Sequence, residues 1–308
     1  MSEFRTLDLH MHTTVSDGTD TPEQLLACVK NAGLDLFSVT DHDSIKGCEH
    51  ILANLASGDP AFVTGVEFSC RDELGKYHIL GYGYDPESAP VREVAEAGHR
   101  FRIRKTVARL DYLEKEFGIK FSEEDLAALF SQDNPGKPHI GILLVRYGYA
   151  QTISEAFSVY LDRIHFRSEY VRPETAISGI LQSGGIPVLA HPVYGSGRER
   201  IVGDELALRV RRLMGFGLQG LETYYGGIPE DLLGQTLSLS ERFGLYATAG
   251  SDYHGRNKTV RLGETGLPER KQWSDGLRRF LKEVPIRSKE ASETIVNGNC
   301  SERNGDTN

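Results

Sequence analysis

His10 and His12 are separated only by Met11, in a stretch where Leu7 and Leu9 alternate with Asp8 and His10. On an extended strand, residues two apart point to the same side, so both imidazoles can face one point. Two ring nitrogens delivered from the end of a short apolar strand can ligate one metal ion. The pair alone is equally compatible with two surface histidines. Further side chains of the same chemistry follow: Asp17 before Gly18, His42 in TDHD, Glu67 in AFVTGVEFSC, His78 in KYHILGYG, His191 in VLAH, and Asp252 with His254 in GSDYH. Each has an ordinary reading when taken singly. Asp17 is a turn residue, His78 a half-buried side chain and Glu67 a partner for a lysine. Asp41 and Asp43 either cap the next helix or orient His42. Jointly, His10, His12, His42, His78, His191 and His254 are six of the chain's ten histidines, and all fall at strand ends or just beyond. Mixed imidazole and carboxylate ligands suit Zn, Mn or Fe better than Ca or Mg. Nine candidate ligands exceed the needs of one ion, which implies two to three divalent metal ions.

The elements that must position these residues are legible from turn and cap signals. Thr21-Pro22-Glu23-Gln24 places a capping threonine, a first-turn proline and a glutamine three residues after the cap, and Gly33 ends the helix. A buried strand over 34–39, a helix over about 44–56, and strands AFVTGVEFSC and KYHILGYG follow. The pattern predicts a parallel sheet with crossover helices. From about 90 to 163 the sequence is helical almost without strands. From Pro173 helix and strand alternate again, with strands IPVLAH, LQGLETYY and LYATAGSDYH and a last helix near WSDGLRRFLKEV. Consecutive βα units on both sides of a helical block predict an α/β barrel, with its chemistry at the C-terminal ends of the strands. The expected divisions are 1–92 and 166–287 for the barrel, 93–165 for a helical insertion, and a disordered polar tail over 288–308. The packing of the first strand is expected to rest on Leu7, Leu9 and Met11 together.

Composition narrows the function. The 308 residues with 39% apolar content can bury a sizeable core. A net charge of −9 argues against binding long nucleic acid or an anionic membrane through overall charge. No secretory signal or membrane-length apolar run is read in the sequence. Cys28, Cys48, Cys70 and Cys300 show no C-x-x-C spacing and read as reduced thiols in a cytoplasmic protein.

The ordered set D-L-H-x-H, T-D-H, the strand glutamate, H-I-L-G-Y, A-H-P and G-S-D-x-H resembles the motifs of the PHP (polymerase and histidinol phosphatase) family over about residues 5–265, leaving out the helical block. The resemblance implies a distorted (β/α)7 barrel of the PHP type with a small helical insertion domain. It also implies a metal-dependent phosphoesterase with up to three ions. Carried over by position, His10, His12, Glu67 and Asp252 would hold one ion. Asp17, His42 and His254 would hold a second, and Glu67, His78 and His191 a third. Hydroxide formed between two ions would attack phosphorus in line, with Asp17, His42, Glu67, His191, Asp252 and His254 forming the catalytic set. Three ions outweigh three carboxylates, so a phosphate dianion fits the charge.

On the substrate side, Lys137-Pro138-His139 opens an insertion helix, and Arg198 lies in the glycine-rich loop VYGSGRER. Lys137, His139 and Arg198 are the candidate phosphate-binding residues. Arg102 and Arg104 are read as solvated helix-face cations in ion pairs, and Tyr224 and Tyr225 either stack on a base or pack under a loop. The helical block resembles the family subgroup acting on small nucleotides and phosphorylated sugars. That leaves open a nucleoside 3′,5′-bisphosphate, a phosphoribosyl cyclic phosphate, and exonuclease action on short RNA or DNA. The loop HPVYGSGRER is longer than the A-H-P-G-R-Y arrangement of the bisphosphate enzymes, which keeps the cyclic phosphate in play. Readings from other classes are a non-catalytic metal-stabilised interaction module and a zinc amidohydrolase.

Overall fold

The Thr21 hydroxyl accepts from the Gln24 N–H at 3.3 Å, and the Gln24 side chain accepts from the Thr21 N–H at 2.9 Å. This reciprocal cap starts the first crossover helix where the sequence predicts it. The computed structural model describes residues 4–166, 169–195 and 200–288. Its elements begin with β1 (Leu7–Asp8), α1 (Pro22–Asn31), β2 (Leu36–Val39), α2 (Lys46–Asn54), β3 (Ala61–Arg71) and β4 (Lys76–Tyr82). The helical block follows as α3 (Ala89–Phe117), α4 (Glu123–Phe130), α5 (Lys137–Arg146) and α6 (Ile153–Ala156), the last running into a π-helical turn (Phe157–Leu161). Then come α7 (Pro173–Gln182), β5 (Ile186–Leu189), α8 (Gly203–Gly215), β6 (Gly220–Tyr225), α9 (Glu230–Arg242), β7 (Tyr246–Gly250) and α10 (Asp275–Glu283).

The strands form one seven-stranded sheet in chain order from β1 to β7. Its edges approach each other: Leu9 N–H donates to Ala249 O at 3.0 Å and Asp252 N–H to His10 O at 2.8 Å. The result is a nearly closed α/β barrel, as expected. One feature departs from a run of parallel βα units. β4 is antiparallel to both β3 and β5. Only Asp72, Glu73, Leu74 and Gly75 join β3 to β4, with Asp72 N–H donating to Gly75 O at 2.9 Å. Four residues suffice for a hairpin and are too few for a crossover.

Strand alternation sorts the side chains. Phe62, Val66, Phe68 and Cys70 of β3 belong to a large apolar cluster shared with the helices, whereas Val63 joins a second cluster with Leu80 and Tyr82. Glu67 has the phase of Val63, so it faces inward with no apolar neighbour layer to receive it. Each fully buried Leu or Phe in these clusters contributes about 1.5–3 kcal/mol relative to exposure. Leu7 and Leu9 join the second cluster but Met11 the first, so these three do not share one face as strict alternation predicts. Regular pairing in β1 stops at Asp8. A third apolar cluster, including Leu113, Ile119, Leu129, Ile140 and Leu144, lies wholly within the helical block. α3 crosses position 92/93 unbroken, with Val91, Val94 and Ala95 in the barrel's large cluster.

Cys48 and Cys70 are buried, Cys28 is half-buried, and none of the three is in a disulfide. Cys300 and the tail over 289–308 lie outside the described residues. No helix among those described is long and apolar enough to cross a membrane.

Candidate metal centre

Six of the seven strands deliver a polar residue to the same end. His10 and His12 follow β1, His42 follows β2, His191 follows β5, and Asp252 and His254 follow β7. Glu67 sits inside β3, facing inward. Because β4 runs backwards, its beginning lies beside the end of β3, and His78 pairs in register with Ser69, two residues beyond Glu67. A histidine near the start of an antiparallel strand therefore reaches the rim that the parallel strands reach with their ends. Asp17 is brought in by the loop after His12. Asp41 ties that loop down, accepting from Thr13 N–H at 2.8 Å, Thr13 Oγ1 at 2.7 Å and Ser16 Oγ at 2.6 Å.

The nine sequence-derived candidates converge. His10 Nε2 and His12 Nε2 each lie 3.3 Å from Glu67 Oε2, and they lie 3.5 and 3.3 Å from Asp252 Oδ1. Four ligands at 2.0–2.1 Å around a tetrahedral ion are separated by about 3.3–3.4 Å, so this spacing suits one ion. The other Glu67 oxygen, Oε1, lies 2.9 Å from His78 Nδ1 and 3.2 Å from His191 Nε2, and those two nitrogens are 3.2 Å apart. Asp17 forms a third group, with Oδ1 3.4 Å from His254 Nε2 and Oδ2 3.9 Å from His42 Nε2. Two rings serve more than one group. His12 also falls within ligand spacing of Asp17, His42 and His254, and His42 Nδ1 lies 3.0 Å from Glu67 Oε2.

Buried polar atoms without hydrogen-bond partners mark the same place. His10 Nε2, His12 Nε2, Asp17 Oδ1, His42 Nδ1 and Glu67 Oε2 are all orphaned. Such atoms are costly to bury unless something else satisfies them. The imidazole and carboxylate donor set, its spacing and its orphaned atoms fit divalent cations.

The electrostatics are those of a ligand cage. Burial opposes ionisation of Glu67, yet His78, His42 and His10 hold its carboxyl well below the usual range. Asp252 is likewise held low against burial, chiefly by Lys258 and His10. Burial lowers His12, but Asp252 and Glu67 overcome it and raise the ring to about 9. His42 moves the other way, to about 3, because burial outweighs Glu67 and Asp17. Backbone strain gathers here too. Asp43, His191 and Asp252 have φ of 51°, 27° and 57°, which non-glycine residues rarely adopt.

Several supporting residues carry no spacing signal in the sequence. Glu222 accepts from His10 Nδ1 at 2.9 Å and from His191 N–H at 2.7 Å. Asp8 accepts from Ser251 N–H and Oγ at 2.9 and 2.6 Å and from Gly263 N–H at 2.8 Å. Lys258 Nζ and Tyr225 OH donate to Asp252 Oδ2 at 2.5 and 3.1 Å, leaving Oδ1 to the centre. These additions enlarge the charge inventory beyond three carboxylates. Asp43, for its part, neither caps a helix nor touches His42 through its carboxylate. It accepts from Ser69 N–H and from Arg102 Nε, each at 2.9 Å.

A cleft of about 660 Å³ lies over the centre, bounded on the barrel side by His42, His78, His191 and His254 and on the helical side by Lys137, Ile153 and Phe157. Lys137 thus reaches the cleft, paired with Asp162 and 4.0 Å from the Phe157 ring centroid. His139 does not line it; its Nδ1 accepts from Gly136 N–H at 3.0 Å and completes the start of α5. Arg198 lies outside the described residues. Arg104 is exposed and pairs with Glu169 at 2.8 Å, as a helix-face cation should. Arg102 does not follow that expectation, being buried against Asp43. Tyr225 lines the cleft, whereas Tyr224 packs in the core.

A barrel of this build, with a buried His/Asp/Glu centre at one rim under an open cleft, defines a metal-dependent hydrolase. The chain belongs to the PHP family: residues 8–167 match the PHP domain. It is 28% identical over 262 residues to a 5′-3′ exoribonuclease of Haemophilus influenzae, covering 83% of this chain and 93% of that protein. It is also 28% identical to a 3′,5′-nucleoside bisphosphate phosphatase of Chromobacterium violaceum, covering 80% and 87% of the two chains. A phosphoribosyl 1,2-cyclic phosphate 1,2-diphosphodiesterase of Eggerthella lenta is 28% identical as well, covering 81% and 94%. Among solved structures, a proposed metal-dependent phosphoesterase from Bifidobacterium adolescentis matches with a TM-score of 0.72 and 28% identity, covering 92% of this chain and 97% of that one. The chain is an enzyme of this family, a metal-dependent phosphoesterase.

Proposed function

We propose that this enzyme removes a phosphate, or opens a phosphodiester, on a small nucleotide or phosphorylated sugar. Nucleoside 3′,5′-bisphosphates and phosphoribosyl cyclic phosphates are the candidate substrates, and the cytoplasm is the candidate compartment. His10, His12, Glu67 and Asp252 would hold one divalent ion, Asp17, His42 and His254 a second, and Glu67, His78 and His191 a third, with Mn, Zn or Fe as the fitting metals. The observation that carries this reading is Glu67: its two oxygens, fully buried, face two separate groups of imidazoles at 2.9–3.3 Å.

When bound, such ions supply Lewis acidity toward phosphoryl oxygens and lower the pKa of water. The chain's own residues do the rest. Tyr225 and Lys258 engage one oxygen of Asp252 and aim the other at the centre. Lys258 also stands in the cleft wall, where its ammonium offers charge to a phosphoryl oxygen. Lys137 offers a second cation from the opposite wall, and Tyr194 and Tyr225 offer ring faces to a base or sugar. A 660 Å³ cleft matches the size of small-molecule sites. The net charge of −9 disfavours long RNA as the substrate.

The test pairs metal analysis of the purified protein with phosphate release from a nucleoside 3′,5′-bisphosphate, a phosphoribosyl cyclic phosphate and 5′-phosphorylated oligoribonucleotides of increasing length. Bound metal and turnover of the small substrates, abolished in His10→Ala and Asp252→Ala, are expected. Activity that grows with oligonucleotide length and collapses with salt would favour the exoribonuclease activity named for the Haemophilus influenzae relative. No release from any of them would remove the assignment.

A further inference from the structure

The loop that carries His42 is held from two sides, and the second side belongs to the helical block. On the barrel side His42 and Glu67 form a parallel bridge, in which Glu67 N–H donates to Asp41 O at 3.3 Å and Asp43 N–H to Glu67 O at 2.9 Å. The bridge uses the backbone groups flanking His42 and leaves the carbonyl of this buried residue to be satisfied from elsewhere. Asn134, fully buried in the link between α4 and α5, satisfies it: its side-chain N–H donates to His42 O.

The Asn134 amide has one orientation open to it. A carbonyl only accepts, so the amide nitrogen faces His42 and the amide oxygen faces away. His99 Nδ1 lies 3.2 Å from that oxygen and is therefore the donor. The link is fastened at its other residues as well. Asp133 pairs with Lys46 at 2.7 Å, Pro135 O accepts from Thr106 Oγ1 at 3.2 Å, and Gly136 N–H donates to His139 Nδ1 at 3.0 Å. Pro135 also disfavours helical backbone at Asn134. α3 comes this close to the loop because Gly98 faces Asp43, where a methyl group would lie 2.7 Å from Asp43 Cβ. The next residue of the link's path, Lys137, stands in the cleft wall. His42 itself is sensitive to placement. Its Nδ1 lies 3.0 Å from Glu67 Oε2 and its Nε2 3.9 Å from Asp17 Oδ2, so a backbone shift alters both relationships at once.

We propose that Asn134, oriented by His99, is a positioning residue for His42, through which the helical block sets the affinity of the ion that His42 shares with Asp17 and His254. The block then does more than wall the cleft: one link carries Lys137 to the cleft and Asn134 to a metal-ligand loop. This rests on the reading of the metal centre given above.

Zinc titration of the metal-free full chain against a chromophoric chelator tests it. His42→Ala marks the zinc equivalent that depends on this ring, and His10→Ala marks one that does not. Asn134→Ala and Asn134→Leu should each weaken the His42-dependent equivalent by about tenfold or more and leave the His10-dependent one unchanged. His99→Phe should weaken the same equivalent with Asn134 still in place. His99→Gln, whose amide can donate to the Asn134 oxygen, should restore wild-type affinity. Melting of the metal-free chains checks the fold. A lowered melting temperature with every zinc equivalent at wild-type affinity would overturn the proposal, because Asn134 would then be structural only. So would a uniform weakening of all equivalents, the signature of general loosening. Should the Asn134 variants not fold, the His99 pair decides, and equal zinc affinity in His99→Phe and His99→Gln would overturn the proposal. A wild type that binds no zinc would overturn the metal centre and this inference together, whereas full wild-type binding with unaffected variants would overturn the inference alone.

Discussion

Nδ1 of His10 lies 2.9 Å from Oε1 of Glu222, and both side chains are fully buried. The contact places the ring proton on Nδ1 and turns the Nε2 lone pair toward Glu67 and Asp252. Glu222→Gln keeps an acceptor oxygen but loses the charge that makes the imidazole a stronger ligand. Metal affinity should fall about 10–100-fold, read by competition with a chromophoric chelator. Glu222→Ala also abandons the His191 N–H and should cost more. Unchanged affinity in both would mean that His10 is oriented by its packing alone.

Gly250 shows how little room that arrangement leaves. A methyl group there would sit 2.2 Å from His10 Cβ and 2.5 Å from Glu222 Oε1. Gly250→Ala should destabilise by roughly 1–3 kcal/mol through overpacking. It should also displace His10, so metal content falls with melting temperature. Lower stability at full metal content would show that β7 yields and His10 does not.

Much of the barrel and the nine converging side chains was legible because caps, strand alternation and motif order all act locally in the chain. The direction of β4 was missed, since KYHILGYG has the same alternation whichever way it runs, and only the four-residue link from β3 decides it. Glu222 was missed because one glutamate in LQGLETYY has no spacing partner; its role exists only once β6 stands beside β1's extension. Arg102 was misread for the opposite reason. A charged helix ordinarily turns its cations to water, and a long, polar α3 gives no sign that its buried stripe passes through Arg102, Lys105 and Arg109.

Sharing of ligands predicts unequal losses of metal. His12 falls within ligand spacing of two groups, whereas His78 borders only the group around Glu67. His12→Ala should therefore release more metal per chain than His78→Ala, as measured by inductively coupled plasma mass spectrometry after desalting. Chelation of the wild type should lower the melting temperature, because Glu67, Asp17 and Asp252 lose the cations that offset their burial. Mn or Zn should restore it. Equal metal losses in the two variants would contradict the shared role of His12.

The ammonium of Lys105 provides a test by pH. Its pKa is 10.5 when solvated and about 7 in the fold, depressed first by burial and then by Arg102, Arg109 and Lys76, with Asp43 opposing. A base depressed in the folded state contributes its full stability only above the unfolded value and loses it as pH falls through the folded value. Wild type should therefore lose stability relative to Lys105→Met as pH drops from about 10 to about 7, then run parallel to it below that. The span is ~3–5 kcal/mol at most, since one pKa unit corresponds to ~1.4 kcal/mol. Urea unfolding of both proteins at pH 9.5 and 6.5, in buffer without phosphate or sulfate, measures the difference. A gap independent of pH would mean that Lys105 stays charged throughout, held by Asp43 and the Tyr170 ring more strongly than burial opposes.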